Sequence, residues 1–485
     1  MLSLWVVEEM KHADLNDRRL NERLRVILDQ LGGRPTSSIP AACGGYAEMV
    51  AAYRFFDNDQ VCFENILQPH IESTRVRIAA QPVVILAQDT TEIDLTRPDQ
   101  QVVGAGPMDG CHRRGAFLHP LMGFTPDGTP LGMLYAEVWT RDKAPATPKA
   151  QRKRKRQHTP IEEKESRRWL DAYRQANQEA LELDDTRLVC VADSEADIYE
   201  LVEEAQAEEG RADWIIRGGH DRALQETPQS SETTRHLRER VLEGEVLFTH
   251  DIRVRGRKAK VSSDKRSRRQ PRESRTAEVE VRARRVTLRA PWRHDRKLTD
   301  TPVNVVLVTE VDPPDGEVPV EWVLLTSLPI DDAEQVRQVI QYYCVRWMIE
   351  VFFRTLKTGC RVEQRRFEHI DRFLPCLAVY LIVTWRTLYV CRLGRAFPEI
   401  SCEAVFEPSE WKSVYRVVRD EPPPSTPPTL REMVRLVAQL GGYVNRPRDD
   451  EPGPQTVWLG MQRVQDIARC WRLFGPEARK QEILV

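Results

Sequence analysis

Three carboxylates in this 485-residue chain stand where they could do chemistry. Asp89 ends the wholly apolar run PVVILAQD, and Asp193 ends a second such run in TRLVCVADSEADIYELV. A short apolar run of this kind reads as a buried strand delivering an acid at its C-terminal end. Glu350 lies in YCVRWMIEVFFRTLK, where Tyr343, Arg346, Glu350 and Lys357 are spaced by 3, 4 and 7 residues. On one unbroken helix that spacing projects all four from the same face. Three carboxylates suit phosphodiester chemistry, because they can hold two Mg²⁺ ions through oxygen alone, with no histidine or cysteine. Arg346 and Lys357 on either side of Glu350 would offer charge-assisted hydrogen bonds to phosphates. Each feature also has a plainer reading. A strand-end aspartate is often a loop cap, and Tyr-Arg-Glu-Lys at helical spacing can be a salt-bridged face. There is no GxxxxGK[ST] loop and no HExxH, which removes P-loop NTPases and zincins.

The elements that would position these residues are legible in the pattern around them. Leu20, Leu24, Ile27, Leu28 and Leu31 define a helix capped by Asn16 and ended by Gly32-Gly33 and Pro35. Its Arg18, Arg19, Arg23 and Arg25 lie off the apolar stripe, as a solvated face or as phosphate contacts. A second helix is expected over about 46–56, and a hairpin over 123–140 turning at Pro126-Asp127-Gly128. A basic loop at 149–156 precedes a helix from about Pro160 that carries Trp169 and Leu170. DWIIRGG is a strand ending near Arg217, and 221–320 alternates with period two around a very basic loop at 258–275. This β-rich stretch interrupts α/β character and reads as an insertion. WVLLTS returns to a buried strand. One long helix is then expected from Asp332 to Lys357, with Ile340, Cys344, Trp347 and Val351 as its core face. Beyond 370 the chain is helical, divided by the linker EPPPSTPP, with a capping box at Thr429–Glu432 and a stop at Gly441-Gly442.

The net charge of −2 conceals a local +12 between Asp251 and Lys297 against −14 elsewhere, so the composition leaves room for a polyanionic partner. Ten scattered cysteines with no CxxC argue against structural zinc and against a secreted disulfide framework. The first residues turn acidic too soon for a signal peptide. The longest uncharged apolar run, 373–385, has 13 residues and contains Pro375, too short to span a bilayer. A soluble protein of a reducing compartment, without membrane partners, is expected.

The Y-x2-R-x3-E-x6-K pattern of Tyr343, Arg346, Glu350 and Lys357 resembles the signature of the DDE transposases of the insertion-sequence-four family. AYRFFDN (52–58), QDTT (88–91), VADSEADIY (191–199), EKES with Trp169, WVLLTS (322–327) and the C-terminal residues Pro452, Gly453, Pro454, Trp458, Gly460, Gln462 and Arg463 are similar to further motifs of that family. The resemblance implies an α/β, ribonuclease-H-like mixed-sheet core with an inserted β-rich subdomain, flanked by N-terminal and C-terminal helical domains. It divides the chain into 1–72 for recognition of element ends, 73–372 for catalysis with the insertion at about 221–320, and 373–485 for dimerisation. Asp89, Asp193 and Glu350 are implied as ligands of two Mg²⁺ ions, for which Mn²⁺ would substitute. Tyr343, Arg346 and Lys357 are implied to contact the DNA backbone, Trp322 to stack on an extruded base, and Arg217 to contact DNA. The implied partners are double-stranded DNA, as terminal inverted repeats and as target, and a second copy of the chain. Where the family usually carries Arg after the second aspartate, this chain has Ser194, which lacks the guanidinium fork. The expected activity is cut-and-paste transposition through a hairpin. A nuclease that does not integrate, and a DNA-binding repressor with a vestigial site, are the alternatives.

Overall fold

The computed structural model describes residues 2–109, 112–142, 158–183, 185–207, 212–225, 235–254, 256 and 271–476. The basic loop at 149–156, and all but 271–275 of the one at 258–275, lie outside the described residues. The chain forms two compact units, Met1–Ala146 with Trp347–Val485, and Thr147–Arg346. The expected boundaries at 72 and 372 both fall inside continuous helices of the first unit.

The first unit begins with five helices: α1 (Leu4–Glu9), α2 (Arg18–Gly33), α3 (Ile39–Ala42), α4 (Tyr46–Phe56) and α5 (Phe63–Ala79). In α2 the expected stripe is buried at Leu24, Ile27, Leu28 and Leu31, while Leu20 stays half-exposed. Its cap is Asp17, not Asn16. The Asp17 carboxylate accepts the Arg19 amide, and Asn16 takes a left-handed φ of 58° that turns the chain into the helix. Next in the chain are strands β1 (Val83–Gln88), β2 (Thr91–Asp94), β3 (Gly106–Pro107), β4 (Arg114–Phe124) and β5 (Pro130–Trp139). β4 pairs antiparallel with each of the others. The β4–β5 hairpin turns at the expected place, where Gly128 has φ 86°.

The second unit holds α6 (Arg167–Glu182), β6 (Arg187–Ala192), α7 (Tyr199–Ala207), β7 (Asp213–Arg217), α8 (Leu237–Leu242), β8 (Phe248–Val254), β9 (Arg275–Leu288), β10 (Thr301–Glu310), β11 (Glu321–Thr326) and α9 (Ala333–Val345). Its strands run in the order β6-β7-β11-β10-β9-β8, with β6 and β7 parallel and the rest antiparallel. The β-rich stretch therefore supplies β8–β10, which extend this sheet through β11. α6 and α9 pack on β6. Mixed strands covered by helices are the α/β class expected.

The single helix expected from Asp332 to Lys357 is broken. Asp332 does cap α9, accepting the Gln335 amide at 2.8 Å, but the helix ends at Val345. α10 (Trp347–Arg354) takes over and runs into a π-helical turn, Thr355–Gly359. The expected core face is also wrong, since Cys344 is exposed and Trp347 is 45% exposed. Val336, Val339, Tyr343, Met348, Ile349 and Phe352 are buried instead. Two apolar rows compete on this segment, and the bulkier branched and aromatic row takes the core.

The first unit closes with α11 (Ile370–Ala396), α12 (Pro408–Arg419), α13 (Leu430–Leu440) and α14 (Pro454–Phe474). Thr429 caps α13 by accepting the Glu432 amide, and Gly441 ends it. α13 and α14 approach so closely that a Cβ on Gly460 would lie 1.9 Å from the Val437 carbonyl oxygen. The run 373–385 belongs to α11, which at 27 residues is long and apolar enough to cross a membrane, although 83% of its apolar window is buried inside the protein. Burial, not shortness, marks it as a core helix.

Candidate active site

Parallel β6 and β7 bring their C-terminal ends together, the customary place for a ligand in an α/β sheet. Asp193 comes directly after β6, and its Oδ1 accepts the Glu195 amide at 2.8 Å, capping the turn Ser194–Ala196. Because Ala192 is in register with Ile216, Asp193 emerges beside Arg217, the last residue of β7. β11 pairs Leu324 with Arg217, so Trp322 lies at the same end of the sheet. Arg217 donates to the Glu321 carbonyl at 3.2 Å. The Trp322 ring is 6.0 Å from that of Tyr343, and the Arg346 guanidinium lies 6.0 Å from the Tyr343 ring centre. Tyr343 is only 6% exposed. Burial raises its hydroxyl pKa, Arg346 and Arg217 oppose that, and Asp193 adds to it. Five residues singled out from the sequence, on four elements, thus converge within this unit.

The same end of the sheet carries a network that the sequence did not reveal. Asp197 is fully buried, and its Oδ2 accepts the amides of Gly219 and His220 at 2.8 and 2.9 Å and lies 3.0 Å from His220 Nδ1. Its Oδ1 takes Arg222 Nε at 2.9 Å. The loop beyond Arg217 is thereby held against the Asp193 turn, where a Cβ on Gly219 would meet Ser194 Cβ at 3.3 Å. In the sequence, Asp197 is one acid among several in VADSEADIY. Only the fold shows which of them is internal.

In the first unit, Asp89 comes directly after β1 and its Oδ1 accepts the Thr90 amide at 2.7 Å. Glu350 lies on α10, which packs against β1. Both are half-buried. Lys357 lies in the π-helical turn, so the expectation of four side chains along one continuous helix face does not hold. The wider turn shifts the helical phase of the residues beyond it, whereas Arg346 keeps helical dihedrals, φ −47° and ψ −35°. Lys357 Nζ is 3.9 Å from Glu363, which in turn accepts the Asp94 amide at 2.9 Å, and Arg113 bridges Glu92 and Asp94 at 2.6 and 2.9 Å. Burial lowers the Lys357 pKa, Glu363 and Glu92 oppose that, Arg113 adds to it and Asp94 opposes it, the net shift being downward. Glu92, Asp94 and Arg113 were not legible as partners of Lys357, because they lie 244 to 265 residues before it in the chain.

Asp193 in the second unit, and Asp89 and Glu350 in the first, each offer oxygen donors, the kind a hard divalent cation takes. Asp193 accepts the Glu195 amide through Oδ1, and its Oδ2 makes no hydrogen bond among the described residues. No group of three or more His, Cys, Asp or Glu side chains among the described residues is already drawn together around a metal-sized space.

Comparison with known proteins adds three family matches. Residues 3–61 match the transposase DNA-binding domain, 157–374 the transposase DDE domain, and 382–474 the transposase Tn5 dimerisation domain. The DDE match takes in Asp193 and Glu350 and begins after Asp89. DDE domains of this type depend on a divalent metal. Among solved structures, the piggyBac transposase, seen by cryo-electron microscopy in a synaptic complex with hairpin DNA, resembles the chain at 10% identity and a TM-score of 0.31. The likeness covers 85% of this chain and 59% of that one. On its three consecutive domain matches, the chain belongs to the Tn5-like DDE transposases.

Proposed function

We propose that the protein is a cut-and-paste DNA transposase that binds the terminal inverted repeats of its element, cleaves each end and joins the 3′-ends to target DNA. The observation that carries this reading is the convergence of Asp193, Arg217, Trp322, Tyr343 and Arg346 at one end of a sheet in a chain of this family. The arrangement suits a nucleic-acid backbone, with cations for phosphates, an indole face for a base and a carboxylate for a metal.

Asp89, Asp193 and Glu350 would hold two Mg²⁺ ions, or Mn²⁺ in their place. When bound, these would activate the attacking hydroxyl and stabilise the leaving oxygen of an in-line displacement. The protein side chains provide orientation. Arg346 and Arg217 offer donors to the phosphates flanking the scissile bond, and Tyr343, held by burial against Trp322, offers its hydroxyl. Lys357 is restrained by Glu363 and supplies a further cation. Trp322 would receive an extruded base if the end is processed through a hairpin, the indole replacing the stacking that the base loses.

In the proposed division, 1–72 recognise the ends, 73–372 catalyse, with the insertion at about 221–320, and 373–485 pair two protomers in a synapse. The matched segments 3–61, 157–374 and 382–474 support it. The test places the gene's own flanking DNA on a plasmid with purified protein and Mg²⁺, beside Glu350→Ala. Excision by the wild type alone is expected, and hairpin ends on the excised piece would support the finer mechanism. Binding without cleavage by the wild type would sink the reading in favour of a repressor.

A further inference from the structure

The connection between β9 and β10, residues 289–300, carries an exposed aromatic group on an unusually well-fixed loop. Trp292 is 75% exposed. Around it the backbone is tied down. The Arg289 amide donates to the Ala223 carbonyl at 2.9 Å, and the Ala290 amide to Asp300 at 2.7 Å. Arg293 forks onto Glu200 at 2.6 and 3.2 Å. The Thr299 amide donates to Glu203 at 2.5 Å, the Tyr199 hydroxyl to the Thr299 carbonyl at 2.7 Å, and Leu298 is buried beneath. The ring of His294 meets Trp292 edge-on at 6.1 Å and His158 at 5.2 Å. Arg289 and Lys297 flank this aromatic row and are exposed, as are two acids, Asp295 and Asp300, the latter engaged by the Ala290 amide.

Water gains nothing from an indole held out in this way, and a fixed loop has already lost the entropy that a ligand would otherwise have to remove. A flat π surface beside fixed cations matches a partner that presents phosphates and base faces or edges together. A protein partner would call for a wider apolar patch, and Trp292 is the only exposed large apolar side chain of this loop. We infer that the 289–297 loop is a second DNA-contact site, in which Arg289 and Lys297 hold backbone phosphates and Trp292 packs on a sugar or base. It rests on the reading of the protein as a DNA-processing enzyme. The DNA could be the element's own end or the target, and the two are separable by experiment.

The full-length protein is titrated with a duplex from the gene's flanking DNA and, separately, with an unrelated duplex of equal length, with fluorescence anisotropy read over a range of salt. Trp292→Ala is expected to weaken binding roughly five- to hundredfold, and Trp292→Phe to retain most of it. Arg289→Gln combined with Lys297→Gln is expected to lower the slope of log affinity against log salt by about 2. Losses on both duplexes would identify target or non-specific DNA as the ligand, and losses on the flanking duplex alone the element's end. Wild-type affinity in all variants, with the wild type binding DNA well, would overturn the inference and leave the proposed function standing. A fall in unfolding temperature that accompanies the loss would make Trp292 a structural residue and also overturn it. A wild type that binds neither duplex would remove the proposed function and this site together.

Discussion

Asp197 shows how a residue without a place in the proposed chemistry can still decide whether the site forms. Its carboxylate accepts two backbone amides and a buried guanidinium, so removing it strands Arg222, whose side chain is 13% exposed. Breaking a buried pair by deleting one partner costs about 3–5 kcal/mol. Asp197→Ala should therefore lower the unfolding temperature and free the Gly219–His220 loop, with cleavage of flanking DNA falling alongside. Asp197→Asn, which keeps the shape and one good acceptor, should lie between wild type and Ala in both. Thermal unfolding with a cleavage time course checks this order, and an alanine variant as stable as the wild type would refute it. The sequence made Asp193 visible because an apolar strand runs straight into it. Asp197 had no such signal, since its partners Gly219, His220 and Arg222 are brought to it only by parallel pairing of β6 with β7.

Single elements were legible where local pattern decides, as in the buried runs of β1, β6 and β11 or the leucine stripe of α2. They were not legible where tertiary contacts decide. No glycine or proline marks the break at Arg346, and the choice between two apolar rows on that segment depends on what each meets. The docking of α1 is a further case that only the fold reveals. Glu9 of α1 is buried against His70 of α5 at 2.5 Å and takes Arg77 at 2.8 and 3.0 Å, while Arg77 stacks over Trp385 of α11 at 4.2 Å. His70 Nε2 accepts the Met133 amide at 3.1 Å, so its proton lies on Nδ1 and is donated to Glu9. Burial lowers the His70 pKa; for Glu9, burial raises it but His70 and Arg77 bring it below its usual value. Each group then binds fewer protons folded than unfolded, so stability falls as pH is lowered, first below about 6.5 and then below about 4.5. Glu9→Gln should lower the unfolding temperature at pH 7. Its deficit should shrink as pH drops below about 4.5, where the wild-type carboxylate also loses its advantage. Unfolding scans across pH test this, and a deficit independent of pH would refute the charged clamp.

For the whole molecule, hydropathy identifies which segments are buried but not which of them share a core. The first unit unites segments hundreds of residues apart: Arg365 donates to the Pro35 carbonyl at 2.9 Å, and the Trp385 indole to the Pro130 carbonyl at 3.0 Å. The C-terminal helices are part of that same structure. Val390 and Cys391 of α11 share one apolar cluster with Trp411, Met433, Val437 and Val464. Val457, Val464 and Ala468 of α14 face in, which leaves the other side of that helix outward. Near its C-terminal end, Leu473 and Phe474 are 58% and 72% exposed, an adjacent apolar pair on a helix within the matched dimerisation segment. An isologous contact places the same pair on both protomers, so two acidic substitutions put four like charges into one interface. Leu473→Glu with Phe474→Glu should leave the unfolding temperature and the binding of one protomer to one DNA end unchanged, since neither side chain supports the core. The two-protomer, two-end complex should be lost, and with it the coupled cleavage of both ends, because each end would be held by a protomer without its partner. Sedimentation of the protein with flanking DNA separates these species directly. Persistence of the paired complex in the double variant would show that the synapse forms through another face.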